Sequence, residues 1–239
     1  MSLPLEICVF NTATAIEAVK AGADRIELCE NYANGGTTPS YGYLKTTREK
    51  INIPIFPMIR PRGGDYYHSE EEIDIIRKDI LLCKELGFEG VVFGLLQKDG
   101  TIDAENTARL TELAYPLDVT FHRAFDRCKN PLEALETIIQ CGCTRILTSG
   151  QQPKAPDGKE LIKTLVQQAD GRIIIMPGSG INSSNISAMR NFTGATEFHT
   201  SARILIPSES TYMNPNMPED FSKDFTSAEE IQKIKALLS

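Results

Sequence analysis

Short apolar runs recur along the chain, at Leu5–Val9, Arg25–Leu28, 55–59, Gly90–Phe93, Asp118–Phe121, 145–147, 173–176 and 197–199. Each is the length of a strand and too short for a helix. The stretches between them place apolar residues at helical spacing and open on recognisable caps: Ser69 with Glu72, Asn130-Pro131 with Glu133, and Ser227 with Glu230. Strand and helix alternate throughout, which implies parallel pairing. Eight units of roughly 20 to 35 residues predict an α/β chain, a (β/α)8 TIM barrel forming one domain over residues 1–239. A weak internal repeat supports the placement of the strands. A helix-ending glycine comes a few residues ahead of strands two, four, six and eight, at Gly22, Gly87, Gly142 and Gly194. Only 207–225, rich in Pro, Ser, Asn and acids, escapes the pattern, and it reads as a mobile loop, a lid or a subunit contact.

Strands of a parallel barrel are covered outside by helices and filled inside by side chains, so they should be almost continuously apolar. Here several are not. Glu6 and Cys8 alternate with Ile7 and Val9 in the first strand, and Glu27 and Cys29 with Ile26 and Leu28 in the second. With a period of two, each Glu shares a face with its Cys. The aliphatic face suits the helices, so the Glu and Cys side chains are expected inside, with the two cysteines nearer the mouth. Arg60 ends the third strand, where an ion pair with Glu27 is expected. His122 ends the fifth strand, and Glu197 and His199 lie in the eighth. Buried carboxylates are costly unless paired, so each of these residues has a purely structural reading as one member of a network. Gathered at one mouth they make a candidate catalytic set of Glu27, Arg60, His122, Glu197 and His199. Glutamate and histidine supply tunable acids and bases, and arginine a fixed cation.

The seventh strand runs into Pro177-Gly178-Ser179-Gly180-Ile181, ahead of a helix expected near Asn182 or Ser183. The eighth runs into Ser201-Ala202-Arg203. Loops at these positions of a (β/α)8 barrel often hold phosphate through backbone N–H groups and a helix N-terminus. Gly178, Ser179, Gly180, Ser201 and Arg203 are therefore anion-binding candidates, with an ordinary tight turn as the alternative.

Composition narrows the choice of partner. In 239 residues, 25 basic and 32 acidic side chains leave a net charge of -7. That balance argues against a broad nucleic-acid footprint or an anionic membrane surface. The N-terminus lacks the features of a signal peptide and no run approaches a membrane span, so a cytoplasmic protein is expected. Six cysteines are too few for a disulfide scaffold. Cys83, Cys128, Cys141 and Cys143 read as small buried hydrophobes.

Six segments together resemble the CutC family, the copper homeostasis proteins: residues 23–29 (ADRIELC), 35–40 (GGTTPS), 58–65 (MIRPRGGD), 119–126 (VTFHRAFD), 145–150 (RILTSG) and 197–203 (EFHTSAR). The resemblance implies a (β/α)8 barrel, a cytoplasmic location, self-association as a dimer or tetramer, and a role in handling copper. It also implies Cys8 and Cys29 as Cu(I) ligands, the two positions that the family's copper-binding cysteines would occupy. Cu(I) is soft and prefers thiolate, so the implied ligand set is chemically sound. Three functions are thus in view. One is Cu(I) binding through Cys8 and Cys29. Another is isomerase, lyase or hydrolase chemistry on a small anionic, possibly phosphorylated metabolite. The last is a platform for protein interaction.

Overall fold

The computed structural model describes residues 2–217 and 219–239. Eight parallel strands alternate with helices: β1 (Leu5–Val9), α1 (Thr12–Lys20), β2 (Arg25–Leu28), α2 (Tyr41–Lys50), β3 (Ile55–Pro57), α3 (Glu70–Glu85), β4 (Gly90–Phe93), α4 (Ala104–Ala114), β5 (Asp118–Phe121), α5 (Pro131–Gln140), β6 (Arg145–Thr148), α6 (Lys159–Ala169), β7 (Ile174–Pro177), α7 (Ile186–Thr193) and β8 (Phe198–Thr200). An antiparallel ribbon of β9 (Arg203–Ile206) and β10 (Lys223–Thr226) then leads into α8 (Ala228–Leu238). Among the described residues no helix is long and apolar enough to cross a membrane.

The local chemistry explains where the helices begin. Ser69 and Glu72 form a reciprocal capping box on α3. Asn130 accepts from Leu132 and Glu133 N–H, and Pro131 opens α5. Ser227 caps α8, but Glu230 does not complete a box, because its carboxylate reaches across to the N–H and hydroxyl of Ser183 (2.6 and 2.9 Å). The expected start of the seventh helix near 182 or 183 is corrected to Ile186. The Asn182 side chain accepts from Ser184 N–H and the Asn185 side chain from Asn182 N–H, folding 182–185 into a preceding turn. The irregular segment 207–225 is corrected at its end, where Lys223, Asp224 and Phe225 belong to β10. Its Pro218 lies outside the described residues.

Backbone hydrogen bonds order the strands as β3-β2-β1-β8 and β4-β5-β6-β7. A parallel bridge between Met58 and Val92 joins the two sets on one side. Side chains close the circle at the floor. Arg25 of β2 reaches Glu6 of β1 (2.5 Å), Glu197 at the start of β8 (2.7 Å) and the Met176 sulfur of β7 (3.3 Å). Arg145 of β6 reaches the same Glu197 (2.7 Å) and Thr120 of β5 (3.4 Å). Both guanidinium groups lie over the ring of Phe56 on β3, at 5.0 and 5.5 Å. The ring occupies the space that a β-carbon on Gly90 of β4 would need, at 2.4 Å, so only glycine fits there. All eight strands therefore meet in one layer, as the filled interior of a (β/α)8 barrel requires.

Candidate functional site at the barrel mouth

Parallel register carries the floor residues up to the mouth. Cys8 stands opposite Glu27, and Glu6 opposite His199. Two residues beyond Glu27, Cys29 lies buried with its sulfur 3.7 Å from that of Cys8 and 3.5 Å from Glu27 Oε2. Gly36 covers it: at φ 96°, its missing β-carbon would lie 3.3 Å from the Cys29 sulfur. Glu6 binds His199 Nδ1 at 2.7 Å, and His199 Nε2 lies 3.8 Å from Glu27 Oε2. Two overlapping donor sets result, Cys8-Glu27-Cys29 and Glu6-Glu27-His199.

Charge is distributed unevenly through this cluster. Burial pushes the Glu6 carboxyl up, but Arg25 and the hydrogen bond from His199 outweigh it and hold Glu6 well below the carboxylate range. Glu6 is thus an ionised acceptor that fixes His199 Nδ1–H. Burial would neutralise His199, yet the Glu27 and Glu6 carboxylates raise its value. Burial and the nearby Glu6 charge raise Glu27, against the pull of His199. The Cys29 thiol is pushed up to about 12 by burial. That of Cys8 is raised by its hydrogen bond with Cys29 and by burial. The histidine between two carboxylates can pass a proton, and the thiols are protonated at neutral pH.

Above this cluster opens a cavity of about 990 Å³, whose wall includes Cys8, Glu27, Arg60, His122 and His199. Cys29 lies behind Cys8, out of the wall. Glu197, a catalytic candidate from sequence, is down in the floor with Arg25 and Arg145. The expected Glu27–Arg60 ion pair does not form. Arg60 instead donates to three carbonyl oxygens, of Asn34 (2.7 Å), Gly36 (3.1 Å) and Gly64 (2.7 Å), and stacks on Tyr66. The loops after β2 and β3 wrap its guanidinium before it can reach a carboxylate. His122 Nδ1 accepts from Ala124 N–H at 3.2 Å, which leaves the proton on Nε2. Burial and the Arg60 charge lower this imidazole to about 3, so it is a neutral donor.

Gly94 makes room for that ring, since a β-carbon there would lie 2.5 Å from His122 Nδ1. Gly94→Ala is expected to displace the imidazole and cost about 1–3 kcal/mol. Histidine-resolved NMR should then report loss of the Nε2–H tautomer, and an unchanged tautomer would contradict the assigned packing.

The anion-binding candidates are only partly poised for that role. Ser179, Gly180, Ser201 and Arg203 line the cavity, while Gly178 lies beneath it against Leu147 and His199. Arg203 is paired with Asp224 and lies 3.9 Å over the Tyr32 ring. The Ser179 hydroxyl donates to Pro153 O (2.8 Å), and Glu230 holds the Ser183 donors ahead of α7. Strand patterning could have identified two residues that went unassigned: Arg25 shares the inward face of Glu27, and Arg145 begins an inward series on β6. Asp126 was also missed. Buried, it accepts from Thr148 Oγ1 (2.6 Å) and from Ser149 N–H (3.0 Å), and so fixes the end of β6.

Comparison with known proteins agrees with this architecture. A CutC-family protein of Parabacteroides distasonis is 50% identical over 241 residues, covering 98% of both chains. The human copper homeostasis protein cutC homolog is 43% identical over 240 residues, covering 98% of this chain and 88% of the relative. The crystal structure of the CutC protein of Streptococcus agalactiae superposes with a TM-score of 0.79 at 34% identity, over 83% of this chain and 98% of that one. The model of the CutC family matches residues 3–204, the barrel up to the first residues of β9, and the chain belongs to that family.

Proposed function

We propose that the chain is a cytoplasmic copper homeostasis protein that binds Cu(I) through Cys8 and Cys29 at the barrel mouth. One observation carries this reading: two thiols 3.7 Å apart, with a carboxylate oxygen 3.5 Å from the second. Two thiols beside one carboxylate form a mainly soft donor set, which suits Cu(I) better than Mg²⁺ or Ca²⁺. With metal–sulfur bonds of about 2.3 Å, a linear arrangement needs sulfurs roughly 4.6 Å apart. The observed spacing favours a bent arrangement with Glu27 as third donor. The six cysteines are unpaired, in keeping with a reducing compartment. Self-association, which family membership implies, has a candidate surface in the β9–β10 ribbon, where Ile204 and Leu205 are exposed.

Anaerobic Cu(I) titration against a chromophoric chelator tests the proposal. One equivalent is expected to bind, and the Cys8→Ser, Cys29→Ser double variant should lose at least about 100-fold in affinity, roughly 2.7 kcal/mol. Equal affinity in the double variant would sink the reading.

A second reading, catalysis on a small anionic metabolite, is favoured by the size of the cavity. About 990 Å³ is far more than one ion needs and falls within the range of organic-ligand sites. In that reading Glu27 moves a proton to or from the ligand, and His199, fixed by Glu6, exchanges it with Glu27.

A further inference from the structure

The two thiols are not the whole of the soft chemistry at the mouth. Phe56 faces the Arg25 and Arg145 guanidinium groups in the interior, and Met58, two residues on, shares that inward face. The β2–β3 register pairs Glu27 with Phe56 and Leu28 with Pro57. Met58 N–H then donates to Leu28 O (2.9 Å), which carries the pairing on to Cys29 and Met58. Three neighbouring strands thus bring one sulfur side chain each to the mouth: Cys8, Cys29 and Met58. These side chains cluster with Phe10, Phe56 and Val92, apart from the main core. Cys8 and Met58 both line the cavity, and among the described residues Met58 is the one methionine in its wall. The loop after β2 closes over the cluster. A β-carbon on Gly36 would lie 3.3 Å from Cys29 Sγ and 3.5 Å from the Met58 methyl, so the thiol and the end of the thioether border one space. The Met58 sulfur is one bond from that methyl, and its unbranched side chain can turn the sulfur toward the thiols without moving the backbone.

We infer that Met58 supplies a third sulfur to Cu(I), completing a three-coordinate site with Cys8 and Cys29. This rests on the Cu(I) reading above and names its third donor. Three metal–sulfur bonds of about 2.3 Å in one plane set the sulfurs roughly 4.0 Å apart. The observed 3.7 Å is closer to that than to the spacing of a linear pair. Glu27 is the rival for the third position. Its carboxylate is a hard donor, and together with two thiolates it leaves the bound site with two net negative charges. The neutral thioether is soft and leaves one. In a buried cluster the softer donor and the smaller charge are favoured.

Selenomethionine-labelled, reduced protein loaded anaerobically with one equivalent of Cu(I) tests the inference by X-ray absorption at the copper edge. A direct copper–selenium contact is expected beside two copper–sulfur contacts. It should vanish in the labelled Met58→Leu variant, which nearly conserves side-chain volume. That variant should also bind Cu(I) at least about tenfold more weakly than the parent. Two sulfurs with an oxygen and no selenium would return the third position to Glu27 and overturn the inference with the Cu(I) reading intact. Undiminished affinity in Met58→Leu would do the same, as would a selenium contact that survives the substitution. Failure of the parent to bind Cu(I) would overturn both. The selenium signal is read on the parent, so it decides the matter even if Met58→Leu fails to fold.

Discussion

Replacing Arg25 by methionine is expected to cost about 3–5 kcal/mol of folding stability, because it strands buried carboxylates that now share that cation. Methionine fills much of the aliphatic volume, so the loss is electrostatic more than steric. Glu197 would retain Arg145, whereas Glu6 would retain only His199. For a domain of this size the expected drop in Tm is roughly 6–20 °C, accompanied by a lower urea midpoint at an unchanged slope. The pH dependence separates this from loss of packing. Glu6 is held below its ordinary value of 4.5, so its contribution is fully present above that pH and is lost as pH falls toward the folded value. The variant lacks most of that contribution. The stability gap between parent and variant should therefore be widest near neutrality and narrow below about pH 4, where protonation relieves the stranded carboxylate. A gap under 1 kcal/mol, or one indifferent to pH, would contradict the ionic role of the floor.

The alternation of apolar runs with capped helices was enough to predict the barrel, because strand length and helix start are set by local chemistry. Ser69 and Asn130 cap where expected, and the eight strands fall within a residue or two of their predicted bounds. Period two was also enough to turn Glu6, Cys8, Glu27 and Cys29 inward. What it could not supply was pairing across the barrel. Arg25 and Arg145 lie on strands that are not neighbours, and they meet at Glu197 only once the barrel closes. The expected Arg60–Glu27 pair failed for a related reason. Both residues reach the wall of one cavity, but the register sets Glu27 opposite Phe56, four residues before Arg60, and the loops around residues 34–36 and 64 supply carbonyl oxygens that no strand pattern encodes. The β9–β10 ribbon was hidden because its strands are four residues long and mostly half-buried or exposed, so burial imposes no regular alternation on them.

Cu(I) affinity is expected to change more with pH than with any other variable. Both thiols are held protonated near neutrality, Cys29 at about 12 and Cys8 above its ordinary value, so binding as thiolates must release two protons. While both remain well above the working pH, each released proton contributes about tenfold per pH unit to the apparent association constant. From pH 6 to pH 8 the constant should rise about 10⁴-fold, roughly 5.5 kcal/mol, once the competing chelator's own protonation is subtracted. The Cys8→Ser variant should follow a slope of one proton instead of two. If Glu27, also raised by burial, ligates as the anion, the parent's slope should exceed two at the acid end, and Glu27→Gln should bring it back to two. Carboxylate and histidine ligation alone would give a curve that flattens as soon as those groups have ionised. A flat profile between pH 7 and pH 8 would thus remove the thiols from the site even if copper were bound.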